Sequence, residues 1–372
     1  MIVALPKLEA VLQSNKLPGL DGFRMIAVMA VVLAHSGVGT LFFSARHGVA
    51  GFFVLSGFLI TWLLLKEYGK NGNISLKNFY IRRSLRIFPA YYAFIAVSIS
   101  WDFFRGNDDT REAIFPALFY LVNYHNALEG HSSSSLAHLW SLAVEEQFYL
   151  IWPAIFLTLM KRGKNTVLAF LLGAAVVVVI WRTVTYAVLD WGSSYAYNAF
   201  DTRFDNLAIG CALALLVERQ RALHVLNALS SQFWMPVITF MLLFMSRQLV
   251  GDNYSYGPGF TVDALLLAVL LVQLVRLSCG RFWGWLNHPY TVYLGVISYP
   301  IYLWHVWGVQ AGLKLNFLPE PLQLFAGVVF SCCLAAGSYH LIEKRFLALK
   351  GRFEMSRDNC ANGALTRHTR AR

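Results

Sequence analysis

Charge is scarce in this chain. Of its 372 residues only 14% are Asp, Glu, Lys or Arg, while 57% are hydrophobic, and the mean hydropathy is +0.52. A soluble chain carries about a quarter charged residues. The deficit excludes an ordinary water-soluble globule and makes lipid the expected solvent for most of the surface. Cysteine is sparse too: Cys211, Cys279, Cys332, Cys333 and Cys360 form no CxxC pair and no Cys/His ligand spacing. A disulfide framework and a zinc-type centre are thereby excluded, and no metal is expected. No internal repeat and no appended soluble domain are read. The leading "MIVALPKLEAVLQSNK" is interrupted by Glu9 and runs straight into an apolar segment, so it is not read as a cleavable signal peptide.

What is present in quantity is long apolar runs. A span needs about 20 mostly apolar residues. Ten runs lie near 22–43, 48–66, 84–104, 139–160, 166–189, 203–217, 233–249, 262–279, 291–312 and 321–343. They are continuous rather than alternating, so they read as helices and not as barrel strands. With the N-terminus inside, 24 of the 31 Lys and Arg fall on inside segments. The positive-inside bias then predicts ten spans with both termini cytoplasmic. It also accounts for the net charge of +11 without nucleic acid, which would need a basic face with interleaved aromatics. The expected fold is an all-α polytopic membrane bundle. Residues 1–17 form a cytoplasmic segment, 18–348 the membrane domain, and 349–372 a basic, disordered cytoplasmic tail. Within the long outer loop, "AIFPALFYLVNYH" is too short for a span and reads as interfacial.

Ionisable groups inside spans are expensive and each needs a reason. Arg24 and His35 are eleven residues apart in the first run. On a helix they share one face, about 16 Å apart along the axis. An extended pantetheine arm has a comparable reach. The ordinary alternative is a histidine bonded to a neighbouring helix. In "NFYIRRSLRIFPAYY", Arg82, Arg83 and Arg86 precede the third span, with Arg83 and Arg86 at i, i+3. Guanidinium forks suit phosphate oxygens; a topology signal touching anionic lipid is the simpler reading. In "HLWSLAVEEQFYLIWP", His138, Ser141 and Glu145 make one stripe, and Glu146 adds a second carboxylate. Ser141 would also serve as an N-cap. In "ISYPIYLWHVWG", Ser298, Tyr302 and His305 share a face. Arg182, Asp201 and Asp205 read as a structural ion pair. "GFFVLSGFLIT", with its glycines and Ser56, reads as close helix packing.

In this order the stretches "LDGFRMIAVMAVVLAH", "GVAGFFVLSGFLIT", "FYIRRSLRIFPAYY", "HLWSLAVEEQFYLIWP", "TRFDNLAIGCALA" and "ISYPIYLWH" resemble the acyltransferase 3 family of bacterial membrane acyltransferases. The resemblance covers roughly residues 18–348. It implies a ten-span domain in the bacterial inner membrane that moves acyl groups, usually acetyl from acetyl-CoA, onto glycan hydroxyls. The family's basic-x10-His pattern falls on Arg24 and His35, its arginine pair on Arg83 and Arg86, and its Trp-Ser…Glu-Glu motif on Trp140, Ser141, Glu145 and Glu146. Two departures stand out. Relatives often carry an aspartate where Ala50 and Gly51 stand here, and no fused SGNH-type esterase domain is read. In size and plan the chain is similar to the rhizobial transferases that acetylate lipo-chitooligosaccharide nodulation factors.

A sugar hydroxyl needs a base that is neutral at working pH, which suits an imidazole. The expectation is His35 as base, Glu145 orienting it, and Ser141, Tyr302 or His305 donating to the oxyanion. Arg24, Arg82, Arg83 and Arg86 would hold the phosphates of an acyl-CoA co-substrate, with no permanently bound cofactor. The partners would be that donor, a carbohydrate or glycolipid acceptor, and membrane lipid. A glycan or lipid-linked-sugar flippase would also use many spans and intramembrane charges, though no inverted repeat is visible. A noncatalytic scaffold leaves charged stripes on three spans unexplained.

Overall fold

The computed structural model describes residues 5–14, 16–37, 44–106, 110–131, 134–248 and 251–349. Among them the chain is helical. After a short α1 (Leu8–Leu12) come α2 (Leu20–His35), α3 (Ala45–Asn71) and α4 (Leu76–Phe104). Two short helices follow, α5 (Arg111–Leu118) and α6 (Val122–Glu129), then α7 (Trp140–Met160) and α8 (Lys164–Ala187). The middle of the chain forms α9 (Gly192–Asn198), α10 (Phe204–Leu216), α11 (Gln220–Leu229), α12 (Met235–Gln248) and α13 (Asp252–Tyr256). It closes with α14 (Gly259–Leu277), α15 (Pro289–Val296), α16 (Ser298–Leu313) and α17 (Glu320–Ser338).

Among the described residues each apolar run lies mostly on helix, and six helical stretches are long and apolar enough to cross a membrane. They are Ala45–Asn71, Leu76–Phe104, Ala137–Met160, Lys164–Ala187, Gly259–Leu277 and Glu320–Leu349. Phe204–Leu216 and Met235–Ser246 are apolar but shorter. The surface is inside out relative to a soluble protein. In Lys164–Ala187 only 22% of the most apolar window is buried, and Leu172, Val176, Val177 and Ile180 point outward. Such a face is stable only against hydrocarbon. The chain is a multi-pass membrane protein.

Close glycine contacts set the packing around α3. A Cβ on Gly57 would sit 2.0 Å from the Leu207 carbonyl oxygen, and one on Gly210 would sit 2.0 Å from that of Val54. The backbones of α3 and α10 therefore touch, as small residues allow between membrane helices. On its other side α3 meets α2, where a Cβ on Gly48 would lie 2.6 Å from Ala27 O. Replacing Gly57 by leucine must force these helices apart. Overpacking of this kind costs about 1–3 kcal/mol or more; the expected result is a lower melting temperature and an aggregated elution profile for detergent-purified Gly57→Leu, against an unchanged profile for Gly69→Leu, where a Cβ meets nothing within 4 Å.

Two sequence expectations change. The run 291–312 is not one helix: α15 ends at Val296, Ile297 leaves helical geometry (ψ 13), and α16 starts at Ser298. Pro300 is the cause, because it has no N–H for the Val296 carbonyl and its ring crowds that oxygen. The break lets α15 press on the start of α2, where a Cβ on Gly295 would lie 2.0 Å from Asp21 O. Likewise the 101–138 loop carries two helices, α5 and α6, with Tyr120 between them in the left-handed region (φ 55). The remainder of the first run beyond residue 37, and the tail from residue 350, lie outside the described residues.

Candidate active site

Two cavities adjoin between α2, α3, α7 and α16. The first, about 190 Å³, is lined by Arg24, Arg83, Arg86, Glu145, Glu146 and Tyr149, with Ser56, Ser141 and Tyr302 further in. The second, about 320 Å³, is lined by His35, His131, His138, Trp140, Tyr197 and Tyr302. Val49 and Tyr302 line both, so they form the partition. Arg24 opens α2 in the first chamber and His35 closes it in the second, as their shared helix face requires.

The arginines arrive from two helices. Arg24 is steadied by Asp21, its Nη1 donating to Oδ1 at 2.9 Å, and Lys16 reaches the same carboxylate at 3.2 Å. Arg83 and Arg86 stand one turn apart on α4, the guanidinium of Arg83 over the Tyr149 ring at 4.6 Å. Arg82 does not join them. It turns to Glu67, its Nη2 donating at 3.1 Å, and lines neither chamber. Helical phase alone does not separate it, since Arg82 is four residues from Arg86; the ion pair with Glu67 is what holds its guanidinium away from the chamber. Three guanidinium groups and two carboxylates line the first chamber, with Asp21 behind Arg24 as a third carboxylate.

Glu145 also departs from expectation. Ser56 Oγ donates to its Oε1 at 2.6 Å, and the Tyr149 hydroxyl lies 3.3 Å from Oε2 and 2.9 Å from Ser56 Oγ. Its partners are thus in the arginine chamber, and no hydrogen bond joins it to an imidazole. It does not orient His35. Ser56, read as packing, instead positions this carboxylate. Glu146 keeps one buried oxygen without a partner beside it.

The second chamber holds an imidazole cluster. The His35 and His305 ring centroids are 4.8 Å apart, and those of His305 and His138 are 5.1 Å apart. His35 Nδ1 lies 2.9 Å from the Val31 carbonyl oxygen. A carbonyl only accepts, so Nδ1 is the donor, and in the neutral ring Nε2 is then the nitrogen with the lone pair. The same argument holds for His305, whose Nδ1 is 2.6 Å from Tyr302 O and whose buried Nε2 has no partner. His35 is exposed among the described residues, whereas His305 is fully buried.

The protons of the expected oxyanion donors are already committed. The Tyr302 hydroxyl donates to His138 O at 2.9 Å, so its contact with Ser141 Oγ at 2.6 Å uses the serine proton. The N–H of His305 goes to Tyr302 O. Ser141 therefore acts as a brace for the partition rather than as a helix cap.

Outside the chambers, Arg182 and Asp205 form the anticipated buried pair at 3.0 Å, both fully inaccessible. Asp201 is not part of it; Tyr124, Trp181 and Tyr195 donate to its oxygens instead. Among the described residues no cluster of His, Cys, Asp or Glu is suited to a metal. Sequence reasoning missed His131, Tyr197 and Tyr149 in the linings, and it missed Arg203. The last is fully buried among aromatic rings, and its signal was available: an arginine between two aspartates at the head of an apolar run.

The described helices thus enclose an arginine-lined chamber that abuts an imidazole-lined one. An acyltransferase domain model, that of the acyltransferase 3 family, matches residues 17–340. The chain belongs to that family. It is 34% identical over 314 residues to the peptidoglycan O-acetyltransferase OatA of Listeria monocytogenes, covering 77% of this chain and 48% of the relative. It is 32% identical over 357 residues to YrhL of Bacillus subtilis, named as a candidate peptidoglycan O-acetyltransferase, covering 88% of this chain and 54% of the relative. A candidate O-acetyltransferase of Staphylococcus aureus (strain COL) is 32% identical over 357 residues, covering 89% and 57%. The chain thus spans about half the length of the curated relatives it matches. No solved structure matches it.

Proposed function

We propose that this protein moves an acetyl or other short acyl group from acyl-CoA to a hydroxyl of a cell-envelope carbohydrate, within the bacterial inner membrane. One observation carries the reading: α2 presents Arg24 to a chamber lined by three arginines and His35 to the chamber behind the Tyr302 partition. Arg24, Arg83 and Arg86 bind the donor phosphates from the cytoplasmic side, and the pantetheine arm carries the thioester across the partition. The positive-inside distribution of Lys and Arg supports ten spans with both ends of the chain cytoplasmic.

At the far end the acceptor oxygen attacks the thioester carbon while its proton passes to His35 Nε2. The carbonyl π pair moves to oxygen, then returns as the C–S bond breaks. The CoA thiolate leaves and takes the proton back from the imidazolium. A thiol of pKa about 8.5 departs without a strong acid. The relatives' names point to a glycan acceptor, with peptidoglycan, surface polysaccharide and lipo-chitooligosaccharide all within that class. Mass spectrometry of envelope and secreted glycans from cells with and without the gene tests this. One acetyl unit gained on one sugar names the acceptor; glycans identical in both strains, with acetyl-CoA left intact by the purified protein, would replace the enzyme with a flippase.

A further inference from the structure

The site as described lacks a positive group for the charge that forms in the reaction. When the acceptor oxygen attacks, an electron pair moves onto the former carbonyl oxygen. Ser141, Tyr302 and His305 have their protons committed. Arg24 belongs to the first chamber, some way down α2.

Arg203 is the group the mechanism has not used. Its side chain is fully buried, and none of its three guanidinium nitrogens has a hydrogen-bond partner. It lies in a cage of rings, 3.9 Å from the centroid of Phe260, 5.5 Å from Tyr197, 5.6 Å from Phe53 and 6.0 Å from Trp140. Nearby cations are paired: Arg182 with Asp205, and Arg46 with Asp263. Both of those arginines also face Phe260, at 5.2 and 3.8 Å. Three cations thus surround one ring with two carboxylates among them, and Arg203 is the cation left over. Ring faces offset only part of the desolvation cost of a buried cation. An unsatisfied buried group of this kind calls for an explanation.

Its position supplies one. Phe53 lines the arginine chamber, while Trp140 and Tyr197 line the imidazole chamber. The guanidinium therefore stands behind rings that line both chambers, between which the thioester must pass to meet His35. We propose that Arg203 is an uncompensated buried cation whose field stabilises the oxyanion of acyl transfer. It does so from behind an aromatic wall that it also holds in place. Its nitrogens line neither chamber, so it acts as an electrostatic positioning residue and makes no contact with the reacting atoms. A preorganised charge in a dry site acts strongly on charge that develops late and weakly on the neutral ground state. A ground-state anion on the acceptor would want a contact that this geometry does not offer.

This inference rests on the acyl-transfer reading, and the experiment separates the two. The full chain in lipid nanodiscs is given acetyl-CoA, with water or a neutral chitooligosaccharide as acceptor, and CoA thiol release is followed for wild type, His35→Ala, Arg203→Met and Arg203→Lys. The expected result for Arg203→Met is a kcat lower by up to about 100-fold with KM for acetyl-CoA within about twofold, no more than is lost when a contacting oxyanion donor is removed. Arg203→Lys, which keeps the charge, should recover at least about tenfold of that loss. His35-dependent release that Arg203→Met leaves unchanged overturns the inference alone. So does a folded Arg203→Lys as inactive as His35→Ala, or a defect seen only as a raised KM for acidic glycans. Acetyl-CoA left intact by the wild type with either acceptor removes the acyl-transfer reading itself, and release that His35→Ala does not reduce removes His35 as its base. If Arg203→Met does not elute as a monodisperse species, Arg203→Gln replaces it in the same comparison.

Discussion

His35→Ala should lower acetyl-CoA turnover by about 100- to 10,000-fold, the range supplied by a positioned general base. The protein should still be inserted and folded. His35 is the last residue of α2 and is exposed among the described residues, so losing its ring opens no core cavity. Its one hydrogen bond, to Val31 O, only fixes its own tautomer. His35→Gln is the sharper variant. It keeps a polar side chain of similar reach but supplies no basic nitrogen, so it should be as inactive as alanine. His305→Gln should be milder for turnover, because its ring is fully buried against those of His35 and His138 and lines neither chamber. Thiol release with a melting curve for each variant checks all three. A His35→Gln protein with wild-type turnover would leave His35 as a mere element of the wall.

Arg86→Ala should raise KM for acetyl-CoA by about tenfold or more, with kcat changed far less. That is about 1.4 kcal/mol of binding per tenfold, within reach of one charge-assisted contact to phosphate. Arg83→Ala should behave alike, and the double variant should lose most donor affinity. Arg82→Ala is the internal control. Its guanidinium serves Glu67 and lines neither chamber, so KM should stay where it is. Dephospho-CoA thioesters should also bind wild type more weakly and lose that deficit in Arg86→Ala, if this arginine holds a phosphate the analogue lacks. An Arg86→Ala protein that misfolds or inserts poorly, alongside an Arg83→Ala protein of unchanged KM, would leave the arginines as topology signals.

The helical plan was readable because lipid demands continuous apolar segments, and the described part of each run lies mostly on helix, with 291–312 split in two. Helix breaks were harder to see. Pro300 was visible, but not that α15 would pack on Asp21 once freed from α16. Helical spacing brought Arg24 and His35 to one face, Arg83 and Arg86 to another, and Ser298, Tyr302 and His305 to a third. It could not say which faces meet. Glu145 shares a stripe with His138 and Ser141 on paper, yet the chain enters α7 through a 3₁₀ turn at Ala137–Leu139. Seven residues along, Glu145 sits in the arginine chamber with Tyr149, one turn on in α7, and with Ser56 of α3, which no local pattern joins to it. Arg203 escaped for a different reason. The sequence shows three nearby charges, and pairing all of them is the economical guess; only coordinates show Asp205 taken by Arg182 and Asp201 by aromatic donors, leaving Arg203 alone.

The most direct measurement is a cryo-electron-microscopy structure of the full chain with a non-hydrolysable acetyl-CoA analogue, such as the thioether ketone. The account predicts nucleotide phosphates against Arg83, Arg86 and Arg24, the pantetheine arm past Tyr302, and the carbonyl carbon beside Nε2 of His35. An analogue bound elsewhere, or one whose arm stops in the arginine chamber against a closed Val49–Tyr302 partition, would contradict it.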